Sequence, residues 1–243
     1  MKNRPEVRES SYEIKTRKAH RRHFLKVTGH DFTKTLKKVR PYTMLSRERL
    51  YDIYNSIDYI IKNRIPGEIV EIGCWGGGAL GLCHYALRKN KESRQIYGYD
   101  TFEGHPRPSR VDKDIWGQSQ IQRFNQHKTS RRGWAKITLQ KVRKNLTAMG
   151  VKCKNIHLVK GKIEDTATKI YPKKIALLRI DVDWFEPTSH SLKFFYPKLS
   201  KKGVLIVDDY GHYQGCKEAV DSYFKKSKPR HVHIDYSCIS ITK

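Results

Sequence analysis

Four aspartates follow two apolar runs. Asp181 and Asp183 sit in Leu178-Arg179-Ile180-Asp181-Val182-Asp183-Trp184, after the run Ile175-Ala176-Leu177-Leu178, and Asp208 and Asp209 follow Gly203-Val204-Leu205-Ile206-Val207. Short apolar runs of this kind read as strands buried on both faces, as in a parallel sheet. Parallel strands end at one edge, so the four carboxylates are expected to crowd together. Two like charges about 4 Å apart at an effective dielectric near 20 repel by roughly 4 kcal/mol, so the cluster needs a cation, a shared proton or basic partners. A hard divalent cation is the simplest answer.

A second locus lies earlier in the chain. Glu68 to Ile72 reads as a strand, Gly73-Cys74-Trp75-Gly76-Gly77-Gly78 as a glycine-rich turn, and Ala79 to Arg88 as a helix. In that arrangement backbone N–H groups and a helix N-terminus can approach a ligand closely. The spacing is not GxGxxG, which weakens a dinucleotide-oxidoreductase reading. Ile96 to Tyr99 is a second strand, and the Asp100 that ends it is placed to accept hydrogen bonds from ribose hydroxyls.

The elements that position these residues follow from periodicity and punctuation. Ser46 caps a helix to about Asn63, with Leu50, Ile53, Tyr54, Ile57 and Ile61 on one face. Phe102 to Trp134 is irregular and reads as a loop over the site, a lid at 105–134 anchored by Trp116, Phe124 and Trp134. Ala135 to Met149 is a helix, Ile156 to Val159 a third strand, and a short helix precedes Pro172. Helices at about Pro187 to Leu199 and Gln214 to Lys226 flank the Asp208 strand. His231 to Tyr236 and Ile239 to Thr242 close the chain as two strands. Five βα units and a terminal strand pair predict an α/β fold. Its seven-stranded sheet is mostly parallel with an antiparallel terminal strand, helices cover both faces, and ligands lie beyond the carboxyl ends of the strands. Glu71, Asp100, Asp181 and Asp208 all fall there.

The 243 residues suit one such domain, 41–243, behind a basic N-terminal arm, 1–40, with a short helix around Tyr12 to Lys26. No apolar run is long enough to span a membrane and no secretory signal is visible, so a cytoplasmic protein is expected. Five scattered cysteines without CxxC argue against a disulfide framework and a zinc site. Fifty Lys+Arg against 24 Asp+Glu give a formal charge of +26. Residues 1–40 hold thirteen Lys/Arg and four acids, and 105–145 hold eleven and two, so each block carries +9. Such a field attracts an anionic partner, whether nucleotide sugar, acidic glycan, nucleic acid or lipid headgroup, unless it serves solubility alone.

Together these motifs resemble the macrocin O-methyltransferase family, metal-dependent and S-adenosylmethionine-dependent sugar O-methyltransferases of the class I Rossmann-like fold. The resemblance runs from about Tyr42 to Phe224. It is carried by Tyr42-Thr43-Met44, by Pro66 through Gly78, by Asp100-Thr101-Phe102-Glu103-Gly104, by Leu178 through Thr188, and by Val207-Asp208-Asp209-Tyr210-Gly211 with Gly215-Cys216. It implies a catalytic Mg2+ or other divalent cation on Asp181, Asp208 and Asp209, Asp183 as general base, and donor contacts at Thr43, Glu71, Gly73, Gly77 and Asp100. A carbohydrate or nucleotide-sugar acceptor follows, anionic by the charge argument, in a chain that can form a homo-oligomer.

Two other classes share some of these features. Asp181-Val182-Asp183 is also the DxD pattern of metal-dependent glycosyltransferases, against which the glycine-rich turn and the second acidic pair count. The charge keeps an RNA-directed protein in play, although no RRM or KH motif is present. Tyr210, His212 and Tyr213 could line the acceptor pocket or act as alternative bases. His105, His190, His231 and His233 show no ligand spacing and read as surface or packing residues.

Overall fold

The structure is a computed structural model that describes residues 29–128 and 134–243. The helix expected around Tyr12 to Lys26 and residues 129–133 of the lid lie outside the described residues.

Seven strands form one sheet: β1 (Glu68–Ile72), β2 (Ile96–Asp100), β3 (Ile156–Lys160), β4 (Ile175–Ile180), β5 (Leu199–Val207), β6 (His231–His233) and β7 (Ile239–Thr242). Their order is β3-β2-β1-β4-β5-β7-β6, and β7 alone runs against its neighbours. The direction of winding reverses between β1 and β4, which opens a crevice at the carboxyl edge. Register then places the site. Ile72 pairs with Tyr99 and with Ile180, and Ile180 pairs with Val207, so the residues that follow, Gly73, Asp100, Asp181 and Asp208, stand side by side.

Side chains alternate between two cores along these strands. Ile69, Leu177, Val204 and Ile206 pack under α2 (Arg47–Lys62), α3 (Gly78–Lys89) and α5 (Leu139–Ala148). Val70, Ile72, Leu178, Ile180, Leu205 and Val207 pack under α6 (Ile163–Thr166), α7 (Phe185–Phe195) and α8 (Gln214–Tyr223). Glu71, Arg179 and Asp181 therefore face the α2 side. Each large side chain buried fully contributes about 1.5–3 kcal/mol, and Leu50, Ile53, Ile57, Leu80, Trp184 and Phe195 are all within 1% of full burial.

Three boundaries differ from the sequence reading. Residues 29–39, assigned to the arm, form a helix, α1, whose Phe32, Leu36 and Val39 enter the α2-side core. The i, i+4, i+7 spacing of those three was present but lay among lysines. Helix α5 starts at Leu139, where the Thr138 side chain caps it, and not at Ala135. The segment expected as a lid holds a helix, α4 (Gln120–Lys128), where no regular element was expected.

The segment expected as a lid is also anchored differently. Trp134 sits in a ring cluster, 5.5 Å from Trp184, while Trp116 meets the His212 ring at 5.7 Å and is 71% exposed. Two buried aspartates do most of the pinning. Asp112 Oδ1 accepts from the Phe185 N–H at the start of α7 (2.8 Å), and its Oδ2 accepts from the N–H and hydroxyl of Ser109. A carboxylate at a helix N-terminus satisfies an orphan donor and the dipole together. Asp114 accepts from Trp116 and Gln118 and bridges to Tyr213. Gly215 is needed opposite, because a Cβ there would meet Asp112 Oδ1 at 1.9 Å.

Candidate active site

The crevice at the carboxyl edge encloses a cavity of about 390 Å³. Gly73 and Asp100 line it on the β1/β2 side, and Asp181, Asp183, Asp208 and Asp209 line it on the β4/β5 side. Both predicted halves therefore open into one space.

The β1/β2 side is built from backbone. Gly73 has φ +84°, and a Cβ there would meet the Asp181 carbonyl oxygen at 1.7 Å, so only glycine lets the ends of β1 and β4 come this close. Asp100 Oδ2 accepts from the Trp75 N–H at 2.9 Å and its Oδ1 from the Phe102 N–H at 2.8 Å, which ties the turn after β1 to the end of β2. The buried Asn145 of α5 donates to the Gly76 carbonyl at 3.0 Å. Thr43, Glu71 and Gly77, expected as donor contacts, do not line the cavity. Thr43 Oγ1 accepts from the Leu45 N–H, and Gly77 is the left-handed N-cap of α3 against Val142 and Leu146. Glu71 pairs with Arg179 beside the acid cluster.

That cluster has a cation that sequence reading overlooked. Arg179, 3% exposed, reaches Glu71 Oε1 at 2.5 Å, Asp181 Oδ2 at 2.8 Å and Asp208 Oδ1 at 2.5 Å. The β1–β4 register sets Glu71 directly opposite Arg179, and the period of two puts Asp181 on the same face. Arg49 of α2 takes the other Asp208 oxygen and also pairs with Asp235 through Nε at 2.6 Å. Burial works against the charge of Arg179, but Asp181, Asp208 and Glu71 outweigh it and move its pKa up.

The carboxylates respond to the same forces. Burial pushes Glu71 up to about 7 against the pull of Arg179, with Asp181 adding to the rise. Burial and Asp181 push Asp208 up to about 6 against Arg179 and Arg49. Asp209 is raised well above the usual carboxylate range by burial and by Asp183, Asp181 and Asp208. Among the described residues no ion pair reaches Asp209.

A pH dependence follows from Glu71. Its folded pKa lies above its unfolded value, so between pH about 4.5 and 7 the folded chain holds more protons than the unfolded one, and stability falls as pH rises through that window. The unfolding temperature in EDTA is expected to drop from pH 5 to pH 8. Glu71→Gln should flatten that slope, and an unchanged slope in this variant would place its origin elsewhere.

Asp183 is set apart by its backbone. Strand β4 stops at Ile180, so Asp181 and Asp183 do not share a strand face. The Trp184 N–H donates to the Val182 carbonyl at 2.6 Å around Asp183, whose φ is +63°. A three-residue turn with positive φ at its centre is rare and strained, and such strain concentrates at functional sites. The Asp183 N–H donates to Asp209 Oδ2 at 3.2 Å, and its carboxyl faces His105 Nε2 at 3.5 Å. Burial raises the Asp183 pKa and His105 opposes the rise.

The three metal-ligand candidates suit a hard cation. One oxygen from each of Asp181, Asp208 and Asp209 lies within 4.8 Å of the others, an all-oxygen donor set of the kind magnesium selects. Neither Arg179 nor Arg49 forms an ion pair with Asp209, so its oxygens are left for such a cation. His212 and Tyr213 line the cavity as well, whereas Tyr210 does not and bonds to Asp221 at 2.8 Å.

Strand order 3-2-1-4-5-7-6, a glycine turn after β1 and an acid after β2, all opening on one crevice, define a class I methyltransferase. The chain is similar to the demethyldecarbamoylnovobiocin O-methyltransferase of Streptomyces niveus, 32% identical over 186 residues, or 76% of this chain and 68% of the relative. It is 28% identical over 183 residues to the 8-demethyl-8-(2,3-dimethoxy-α-L-rhamnosyl)-tetracenomycin-C 4'-O-methyltransferase of Streptomyces olivaceus, or 75% and 67% of the two chains. The solved structure of the O-methyltransferase NovP superposes with a TM-score of 0.74 at 29% identity, over 83% of this chain and 82% of that one. A sequence model of the macrocin O-methyltransferase (TylF) family matches residues 4–243, further than the 42–224 carried by the motifs. The chain belongs to that family and is an S-adenosylmethionine-dependent O-methyltransferase. The glycosyltransferase reading of Asp181-Val182-Asp183 falls with this assignment.

Proposed function

We propose that the chain methylates a hydroxyl of a sugar, free in a glycan or linked to a nucleotide, at a divalent-metal site formed by Asp181, Asp208 and Asp209, with Asp183 as general base. The observation that carries this reading is the single cavity shared by Gly73 and Asp100 on one side and the four aspartates on the other. A sugar acceptor is supported by the Streptomyces olivaceus relative, whose name places its methyl group on a rhamnosyl compound.

Methyl transfer is an in-line displacement, so acceptor oxygen, methyl carbon and sulfur must be aligned and the oxygen made more nucleophilic. Gly73 and Asp100 hold the donor, Asp100 through the ribose hydroxyls. Mg2+ on Asp181, Asp208 and Asp209 would supply orientation of the acceptor hydroxyl and a lower hydroxyl pKa. Asp183 takes the hydroxyl proton as the O–C bond forms and the S–C electron pair returns to sulfur. Trp134, Trp184 and Tyr213 exclude water beside it.

The acceptor is anionic in this reading, because Lys162 lines the cavity and the exposed Arg107, Arg110 and Lys113 follow His105 and Pro106, which line it too. Raising salt from about 50 to about 300 mM should raise KM for the acceptor severalfold and leave kcat nearly unchanged, as exposed charges are screened. A salt-independent KM reduces the charge to solubility.

Calorimetry tests the division of the cavity. S-adenosylmethionine should bind equally well in EDTA, and Asp209→Asn should weaken Mg2+ binding while sparing donor affinity. A donor that binds only with metal, or Mg2+ binding indifferent to Asp209→Asn, overturns the arrangement.

A further inference from the structure

Sequence reading placed His105 among the packing histidines, yet it lines the cavity with its side chain 18% exposed. Its ring is fixed from two sides, with centroids 5.5 Å from Trp134 and 5.4 Å from Trp184, and its backbone N–H donates to the Trp134 carbonyl at 3.2 Å. The loop beneath it is tied down where Trp184 Nε1 donates to the Pro106 carbonyl at 3.0 Å. The imidazole therefore cannot swing freely, and the edge it presents, Nε2, points at Asp183 Oδ2 across 3.5 Å. His212, which also faces this carboxyl, shares a hydrogen bond with the Tyr236 hydroxyl through Nδ1.

We propose that His105 is the positioning partner of Asp183, an imidazole clamped by Trp134 and Trp184 whose Nε2–H orients the carboxylate toward the acceptor hydroxyl. The inference rests on the proposed role of Asp183 as base. The geometry calls for such a partner. Asp183 sits at the centre of a strained turn with its side chain only 13% exposed, and no lysine or arginine pairs with it among the described residues. Asp209 shares a hydrogen bond with this carboxyl on one side, and His105 is the neighbour that holds it on the other. The step balances: the acceptor proton goes to the Asp183 carboxylate and leaves to water once the product departs, while the Nε2–H of His105 keeps its place opposite Oδ2.

A double-mutant cycle separates this role from packing. His105→Gln keeps a polar group of similar reach, and its partner in the cycle is Asp183→Asn. Turnover is followed with the nucleotide-linked sugar that the wild type methylates fastest, and donor and Mg2+ affinities are followed by calorimetry. His105→Gln should lower kcat at least tenfold, with KM and both affinities within about twofold of wild type. In the Asp183→Asn background the same substitution should have almost no further effect. His105→Gly should regain part of its kcat with added imidazole, since the slot between the tryptophans then stands open. Equal losses in both backgrounds, or a His105→Gln enzyme within twofold of wild-type kcat, overturn the pairing. If Asp183→Asn is itself fully active, the base assignment fails first and is seen to fail separately.

Discussion

Asp183→Asn should lower kcat by about 10² to 10⁴, the usual contribution of a positioned general base, while Mg2+ and donor affinity stay close to wild type. The geometry separates this residue from the ligands. Asp181, Asp208 and Asp209 each bring an oxygen within 4.8 Å of the others, whereas Asp183 stands outside that set, past the end of β4 at φ +63°, with its carboxyl between Asp209 and His105. An amide at 183 keeps the shape and loses the proton acceptor. Raising pH should recover part of the activity as hydroxide substitutes. Asp208→Asn should behave oppositely, weakening Mg2+ and regaining activity in excess metal. Should Asp183→Asn lose Mg2+ as severely as Asp208→Asn, Asp183 is a ligand and the base moves to His212, which lines the same cavity.

The largest effect on stability should come from Arg179→Met. Removing one partner from a buried ionic cluster leaves uncompensated charge and typically costs 3–5 kcal/mol, which for a chain of this size lowers the melting temperature by on the order of 10 °C. Here three carboxylates, Glu71, Asp181 and Asp208, lose their common cation. Mg2+ should restore part of the loss, because a ligand that binds only the folded state stabilises it by mass action. Adding Glu71→Gln to Arg179→Met should also recover stability, by relieving repulsion. A loss below about 1 kcal/mol in EDTA, or no recovery in the double variant, would remove Arg179 from the centre of the cluster's electrostatics.

Arg179 also shows where the sequence stopped being legible. The aspartates were visible as breaks after apolar runs, and repulsion among them demanded a positive partner. The partner was already in print within the β4 run Ile175–Ile180, where a charged residue interrupts apolar neighbours and is 3% exposed. What hid it was register, because only the β1–β4 pairing sets Arg179 opposite Glu71. Glu71 was for the same reason read as a donor contact. Local punctuation gave the strands, the glycine turn and the antiparallel terminal strand correctly, since each depends on neighbours in sequence. Asp112, Asp114 and His105 depend on contacts across more than twenty residues, to Phe185, Tyr213 and Asp183, and carry no periodic signature. Helix α1 is the exception, because Phe32, Leu36 and Val39 were readable at helical spacing and were outweighed by the surrounding lysines.

Transfer of isotopically labelled methyl from S-adenosylmethionine to a panel of nucleotide-linked sugars, run with Mg2+ and with EDTA and followed by mass spectrometry of the product, tests the account most directly. Label should appear on one hydroxyl of a sugar in the Mg2+ arm and be lost in EDTA and in Asp209→Asn, where the all-oxygen triad is broken. Undiminished transfer in EDTA, or transfer to RNA with none to any sugar, would contradict a metal site built to present a sugar hydroxyl to the methyl donor.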